Sequence, residues 1–218
     1  MWHSLTPPWQ ACLELAWEAY CDGTVPIGAV VADAGGRVIA RGRNRIQNEI
    51  GPQGTVFNHQ LAHAELNAIL QFDSFAKDRN ACVLYTTMEP CPLCLGAFYM
   101  SGMRTLRYAA RDPYAGSTDL IGANWYMAVK PIEVFGPHNP SLEIILLAIQ
   151  VEFDLRDRGE KELNGQVLTL WRAAVPLGVA LGEQIYRSGE LRQMQERGAF
   201  TAEVITNLCQ QSTELSVS

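Results

Sequence analysis

The chain has 218 residues, enough for one good core or one domain with a smaller appendage. Hydrophobic residues make up 48% and charged residues 18%, an ordinary globular balance that excludes disorder and collagen-like repeats. The net charge of −6 weighs against a polyanionic partner, because nucleic-acid binders display basic surfaces.

In chain order, Ala11, Leu15, Ala16 and Ala19 recur at helical spacing after Thr6 and Pro7, predicting a helix over Pro7–Cys21. Residues 27–32 form a short apolar run suited to a buried strand. Gly35-Gly36 makes a turn into an alternating strand over 37–44. Residues 46–58 (IQNEIGPQGTVFN) have no period and read as a loop. A helical period returns over 59–72, followed by a strand at 82–87, a helix at 91–103, and strands at 105–110 and 132–135. This alternation predicts an α/β domain layered around a central sheet.

After Pro140 the pattern changes. Ser141 can cap an apolar helix through Phe153, a polar break covers 156–165, and 166–211 reads as two to four short helices. The division predicted is a catalytic domain over 1–155 and a helical extension over 156–218, with the last seven residues frayed. Residues 141–218 hold 7 Lys+Arg against 11 Asp+Glu, so the extension is acidic. No apolar run reaches the roughly 18 residues a membrane span needs, and MWHSLTPPWQ lacks the features of a secretory signal. The expected location is the cytoplasm.

Six cysteines stand at 12, 21, 82, 91, 94 and 209, and only Cys91 and Cys94 have a chemically meaningful spacing. Pro90-Cys91-Pro92-Leu93-Cys94 sits where a strand passes into a helix, and His63-Ala64-Glu65 opens another helix. One imidazole and two thiolates make a three-ligand zinc set with a fourth position left for water. Unpaired backbone N–H groups at both helix starts favour thiolates and hydroxide. Glu65 is placed to take a proton from that water and hand it to a ring nitrogen, then to departing ammonia. Taken singly, the residues read otherwise: Cys91 and Cys94 as a redox pair, His63 as a core histidine, Glu65 as a first-turn acid. His3, His59 and His138 remain possible fourth ligands, and His59, His138, Trp125 and Tyr126 are candidate pocket walls, with core packing favoured.

The H-x-E and P-C-x-x-C pair resembles the cytidine deaminase-like zinc aminohydrolases. VPIGAVVAD, RVIARGRNR, AHAELNAI, LYTTMEPCPLCLGA and RYAARD make the chain most similar to the branch holding tRNA-specific adenosine deaminase and bacterial guanine deaminase. The resemblance implies a three-layer α/β/α fold with a central mixed five-stranded sheet, plus the C-terminal helical extension. It implies one zinc per chain on His63, Cys91 and Cys94, a water or hydroxide as fourth ligand, and Glu65 as proton shuttle. It implies that Asn44, the Ala64 N–H and Asp112 meet the substrate ring. Asn44 and Asp112 each also have a structural reading, as turn formers. Relatives of this kind build pockets beside a subunit interface, so a homodimer is expected.

Two departures bear on the substrate. His63 follows Asn44 by 19 positions, and this long loop, carrying Phe57, is expected to roof the pocket. The acidic extension replaces a short basic helix and would repel phosphates. Arg41, Arg43 and Arg45 are expected to be solvated. The favoured reading is a deaminase of a free base, nucleoside or related heterocycle, guanine-like purines first. The alternatives are a tRNA-specific adenosine deaminase and a non-catalytic scaffold that keeps zinc for folding.

Overall fold

In a computed structural model, residues 1–159 and 165–217 are described. Helix α1 (Pro7–Cys21) precedes the antiparallel strands β1 (Gly28–Ala32) and β2 (Val38–Arg43). Then come α2 (Ala64–Leu70), β3 (Val83–Met88), α3 (Pro92–Ser101) and β4 (Thr105–Ala110). A single turn, α4 (Trp125–Ala128), leads to β5 (Glu133–Phe135). The sheet order is β2-β1-β3-β4-β5; β1 pairs antiparallel with both β2 and β3, while β3–β4 and β4–β5 are parallel. The mixed five-stranded sheet is as expected.

Each face of the sheet carries its own core. On one face Ala64, Ala68, Leu95, Phe98 and Tyr99 of α2 and α3 pack over Ala29, Val31 and Leu84. On the other, Trp9, Leu13 and Tyr20 of α1 meet Val30 and the long helix α5 (Pro140–Arg158). Two glycines set the spacing. A Cβ on Gly28 would lie 2.1 Å from the Cys12 carbonyl oxygen, and one on Gly42 would lie 2.2 Å from the Ala68 nitrogen. Glycine here lets both helix layers press their backbones onto neighbouring strands.

The C-terminal region is all helix among the described residues: α6 (Gln166–Ala174), α7 (Pro176–Ser188), α8 (Glu190–Glu196) and α9 (Thr201–Val217). Helix α5 is buried all round, which fits its position between the sheet and this outer layer. Its Ile145 and Ile149 share a core with α1 and α9, while Leu147 and Val151 pack with Trp171 of α6 and Val179 of α7. Gly178 and Gly182 admit α7 closely against α5. The Trp17 indole N–H donates to the Ala199 carbonyl at 2.9 Å, fastening α1 to the start of α9.

Three expectations change. Helix α5 runs to Arg158, past Phe153; the remainder of the expected polar break, 160–164, lies outside the described residues. Helix α9 continues to Val217 because Leu208 and Ser212 are buried and Leu215 packs on the core, so the tail is held. Helix α2 is shorter than 59–72, because His63 adopts extended geometry as its N-cap. No described helix is long and apolar enough to cross a membrane.

Gly42→Ala is expected to push α2 off the sheet and cost about 1–3 kcal/mol, the scale of overpacking. A urea midpoint within error of wild type would contradict this account of the contact.

Candidate metal and substrate site

The site forms where two helices begin. His63 is the N-cap of α2, with Ala64 and Glu65 in its first turn, and Cys91 is the N-cap of α3, with Cys94 one turn on. Pro92 at the first position of α3 suits a place where no N–H is needed. Strand β3 ends just before Cys91 and, through β1, neighbours the β2 strand on which α2 rests.

The His63 Nδ1 lies 3.5 Å from Cys91 Sγ and 3.4 Å from Cys94 Sγ. Zinc binds nitrogen at about 2.0–2.1 Å and sulfur at about 2.3 Å in tetrahedral sites, which places such donors about 3.5 Å apart. The donor set and its spacing therefore fit a metal ion, and these three are the group able to hold one among the described residues. His3, His59 and His138 are not part of that group.

Electrostatics agree with the geometry. The Cys91 thiol is drawn down to about 4, chiefly by its hydrogen bond with Cys94 and also by His63, against the opposing effect of burial. The Cys94 thiol moves up, through the same bond to Cys91 and through burial. The His63 imidazole is raised by its bond to Cys91. One thiolate beside two further donors is an electron-rich cluster suited to a cation.

Glu65 is 4% exposed, and burial raises its carboxyl above the ordinary range, opposed by hydrogen bonds from its own backbone N–H and from Thr86. The Thr86 hydroxyl donates to Oε1 at 2.8 Å, and the Cys94 thiol donates to Oε2 at 3.3 Å. Thr86 was not singled out in the sequence. Its signal was the strand period that turns it toward the α2 face, but only pairing brings it to Glu65.

A pocket of about 250 Å³ opens beside this cluster and is lined by Asn44, His63, Ala64, Glu65 and Asp112, all of them expected site residues. Asn44 follows β2 and is 3% exposed. Its Oδ1 accepts the Thr24 hydroxyl at 2.7 Å and the Ile46 N–H at 3.0 Å, leaving the amide nitrogen as the group available to the pocket. Asp112 Oδ1 accepts from the backbone N–H groups of Tyr114 and Ala115 and from the Trp171 indole at 3.2 Å. It thus holds a turn and anchors α6 while lining the pocket.

The rest of the wall differs from expectation. From the long loop only Ile46 reaches the pocket. Asn67 ties Val56 to α2 by two hydrogen bonds, Gln71 holds the Gly54 carbonyl, and Phe57 packs on Gly51. The loop is thus bound down along α2 rather than roofing the site. Gln150, Asp154 and Arg158 of α5 and Val167 and Trp171 of α6 supply the facing wall instead. Their sequence signal was weak, since α5 reads as a core helix from end to end. Of the arginines expected in solvent, Arg43 is buried and pairs with Asp22. His138 lies against Trp9, with ring centroids 4.7 Å apart and the planes tilted by 33°, Trp125 is 79% exposed, and neither these nor His59 and Tyr126 line the pocket.

Glu89 organises the 112–118 loop from beneath, accepting the N–H groups of Asp112 and Thr118 and the Thr118 hydroxyl.

Residues 8–110 match the cytidine and deoxycytidylate deaminase zinc-binding region. A probable cytosine deaminase of Schizosaccharomyces pombe is 30% identical over 141 residues, covering 58% of this chain and 79% of that protein. A tRNA-specific adenosine deaminase of Agrobacterium fabrum is 37% identical over 97 residues, 44% of this chain and 58% of that protein. Among solved structures, guanine deaminase from Nitrosomonas europaea aligns with a TM-score of 0.53 and 26% identity, over 68% of this chain and 84% of that one. The chain spans about a fifth of the length of some curated relatives it matches, at 21% for one, and most of others.

Removing the Glu89 carboxylate (Glu89→Ala) is expected to lower stability by about 1–3 kcal/mol, the cost of leaving hydrogen-bond partners unmet. Amide exchange at Asp112 and Thr118 is expected to speed up; unchanged protection there would show that Glu89 does not hold the loop.

Proposed function

As the chain belongs to the family that carries the cytidine and deoxycytidylate deaminase zinc-binding region, we propose that it is a zinc-dependent hydrolytic deaminase of a small, free amino-substituted nitrogen heterocycle, guanine-like purines first. The observation that carries the reading is the meeting of His63, Cys91 and Cys94 beside the buried Glu65 at the floor of a pocket.

His63, Cys91 and Cys94 would hold one zinc. Bound there, zinc supplies a nucleophile at neutral pH by lowering the pKa of water from 15.7 to about 7. Glu65 would take one proton from the attacking water and pass it to a ring nitrogen, then carry the remaining hydroxyl proton to the amine, so that the C–N bond breaks as the C=O bond forms and ammonia leaves. Its burial keeps the carboxyl above its ordinary range, nearer the poise a proton carrier needs at neutral pH. Thr86 holds one carboxylate oxygen and so turns the other toward the cluster. Asn44 and the Ala64 N–H orient the ring, and Asp112 keeps the pocket rim in shape.

The choice of a small free substrate rests on the pocket. At about 250 Å³ it falls below the 300–1,000 Å³ of sites for drug-sized ligands, a size suited to one base or nucleoside. Its described lining holds Glu65, Asp112 and Asp154 against Arg158, an acidic balance that disfavours a phosphate backbone. The likeness to guanine deaminase favours a purine. We further propose a cytoplasmic homodimer, with catalysis in 1–155 and the helices of 156–218 completing the pocket wall.

An ammonia-release screen over purines, pyrimidines, their nucleosides, and pterin and triazine amines tests the proposal. Activity is expected on at least one free heterocycle, with one zinc per chain. Glu65→Gln is expected to keep zinc and lose about 10²–10⁴-fold in turnover, the range for a removed proton carrier; a fully active variant refutes its role. Silence across the panel, with zinc bound and fold intact, would return the scaffold reading. The tRNA reading instead requires binding to an anticodon stem-loop that weakens steeply with salt.

A further inference from the structure

Gln150 is 6% exposed, lines the pocket from α5, and makes no hydrogen bond to another described side chain or backbone group through its amide. Its Oε1 is enclosed with no hydrogen-bond partner among the described residues. A buried amide left in that state is uncommon, since the large majority of buried side-chain polar atoms are bonded, and an exception calls for an explanation. The other polar residues around the cluster are engaged: Asn44 through Thr24 and Ile46, Asp112 through its turn and Trp171, Glu65 through Thr86. Gln150 differs from these in that its side-chain amide makes no hydrogen bond within the described residues.

We propose that Gln150 determines specificity by donating, through its amide nitrogen, to an acceptor on the edge of the ring that faces α5. This deepens the deaminase reading and rests on it for the reacting edge. A glutamine amide carries a donor nitrogen and an acceptor oxygen; with Oε1 enclosed, the nitrogen is the atom left to meet a ring nitrogen or carbonyl oxygen. The ligand class is therefore a ring with an acceptor, a ring nitrogen or carbonyl oxygen, on an edge distinct from the one presented to Glu65. Asp154, one turn further along α5, lies on the same wall. A ring lacking such an edge leaves the Gln150 amide buried and unpaired, which is how a polar site rejects an analogue.

The test is calorimetric binding of 2,6-diaminopurine and 8-azaguanine to the zinc-loaded full chain, in a Glu65→Gln background that prevents turnover. Gln150→Met, close in length and volume, is expected to weaken both ligands at least tenfold while zinc content and melting temperature stay unchanged. In otherwise wild-type protein it should raise KM far more than it lowers kcat. Gln150→Asn, which withdraws the amide by one methylene but keeps it polar, is expected to weaken both ligands similarly and serves if Gln150→Met does not fold. A change below threefold in the folded variant overturns the proposal, and continued ammonia release by the wild type leaves the deaminase reading standing. Gln150-dependent binding without ammonia release from any amine supports the proposal and overturns the deaminase reading. Failure of both ligands to bind the Glu65→Gln protein overturns the proposal.

Discussion

The site depends on how closely α2 can lie on the sheet. Gly42 lets the α2 backbone approach to a distance no side chain would allow, and this approach brings the His63 ring within 3.5 Å of two sulfurs that enter from α3. The same contact buries Glu65 where Thr86 can hold it. Ligand spacing of a few tenths of an ångström is thus set by backbone packing, which is stiffer than any side-chain contact. Both ligand segments also begin helices, so free N–H groups point toward the place where negative charge gathers.

Around that point the structure is a set of polar ties between elements that the apolar cores alone would let slide. Arg111 reaches Glu143 through two side-chain hydrogen bonds, and its N–H donates to the same carboxylate, locking the end of β4 to the start of α5. Asn67 binds Val56 and the Arg43 carbonyl and so joins the long loop, β2 and α2. Glu89 does the same for the loop after β4. Each is a buried or half-buried group whose partners are met, a condition that makes such ties rigid rather than costly.

Helix α5 has two tasks that conflict in sequence and agree in space. Its apolar positions fill the cores on either side of it, while Gln150, Asp154 and Arg158, at intervals of four, follow one line along the pocket. Since α6 is pinned to Asp112 through Trp171, the outer helices take part in shaping the pocket as well as covering the domain.

Much was legible in the amino-acid order alone, because it rests on short-range chemistry. Helix α1 and strand β4 fall where periodicity put them, and the other elements of the sheet layer shift by a few residues at their ends, α2 most. The histidine, the two cysteines and the glutamate declared themselves through residue type and spacing. What sequence could not supply was the company these residues keep. That Thr86 meets Glu65, that the 46–58 loop lies down along α2, and that α5 rather than the loop walls the pocket all depend on contacts between distant segments. Periodicity tells which face of an element is apolar, and only packing decides what that face, or a polar residue set into it such as Gln150, will meet.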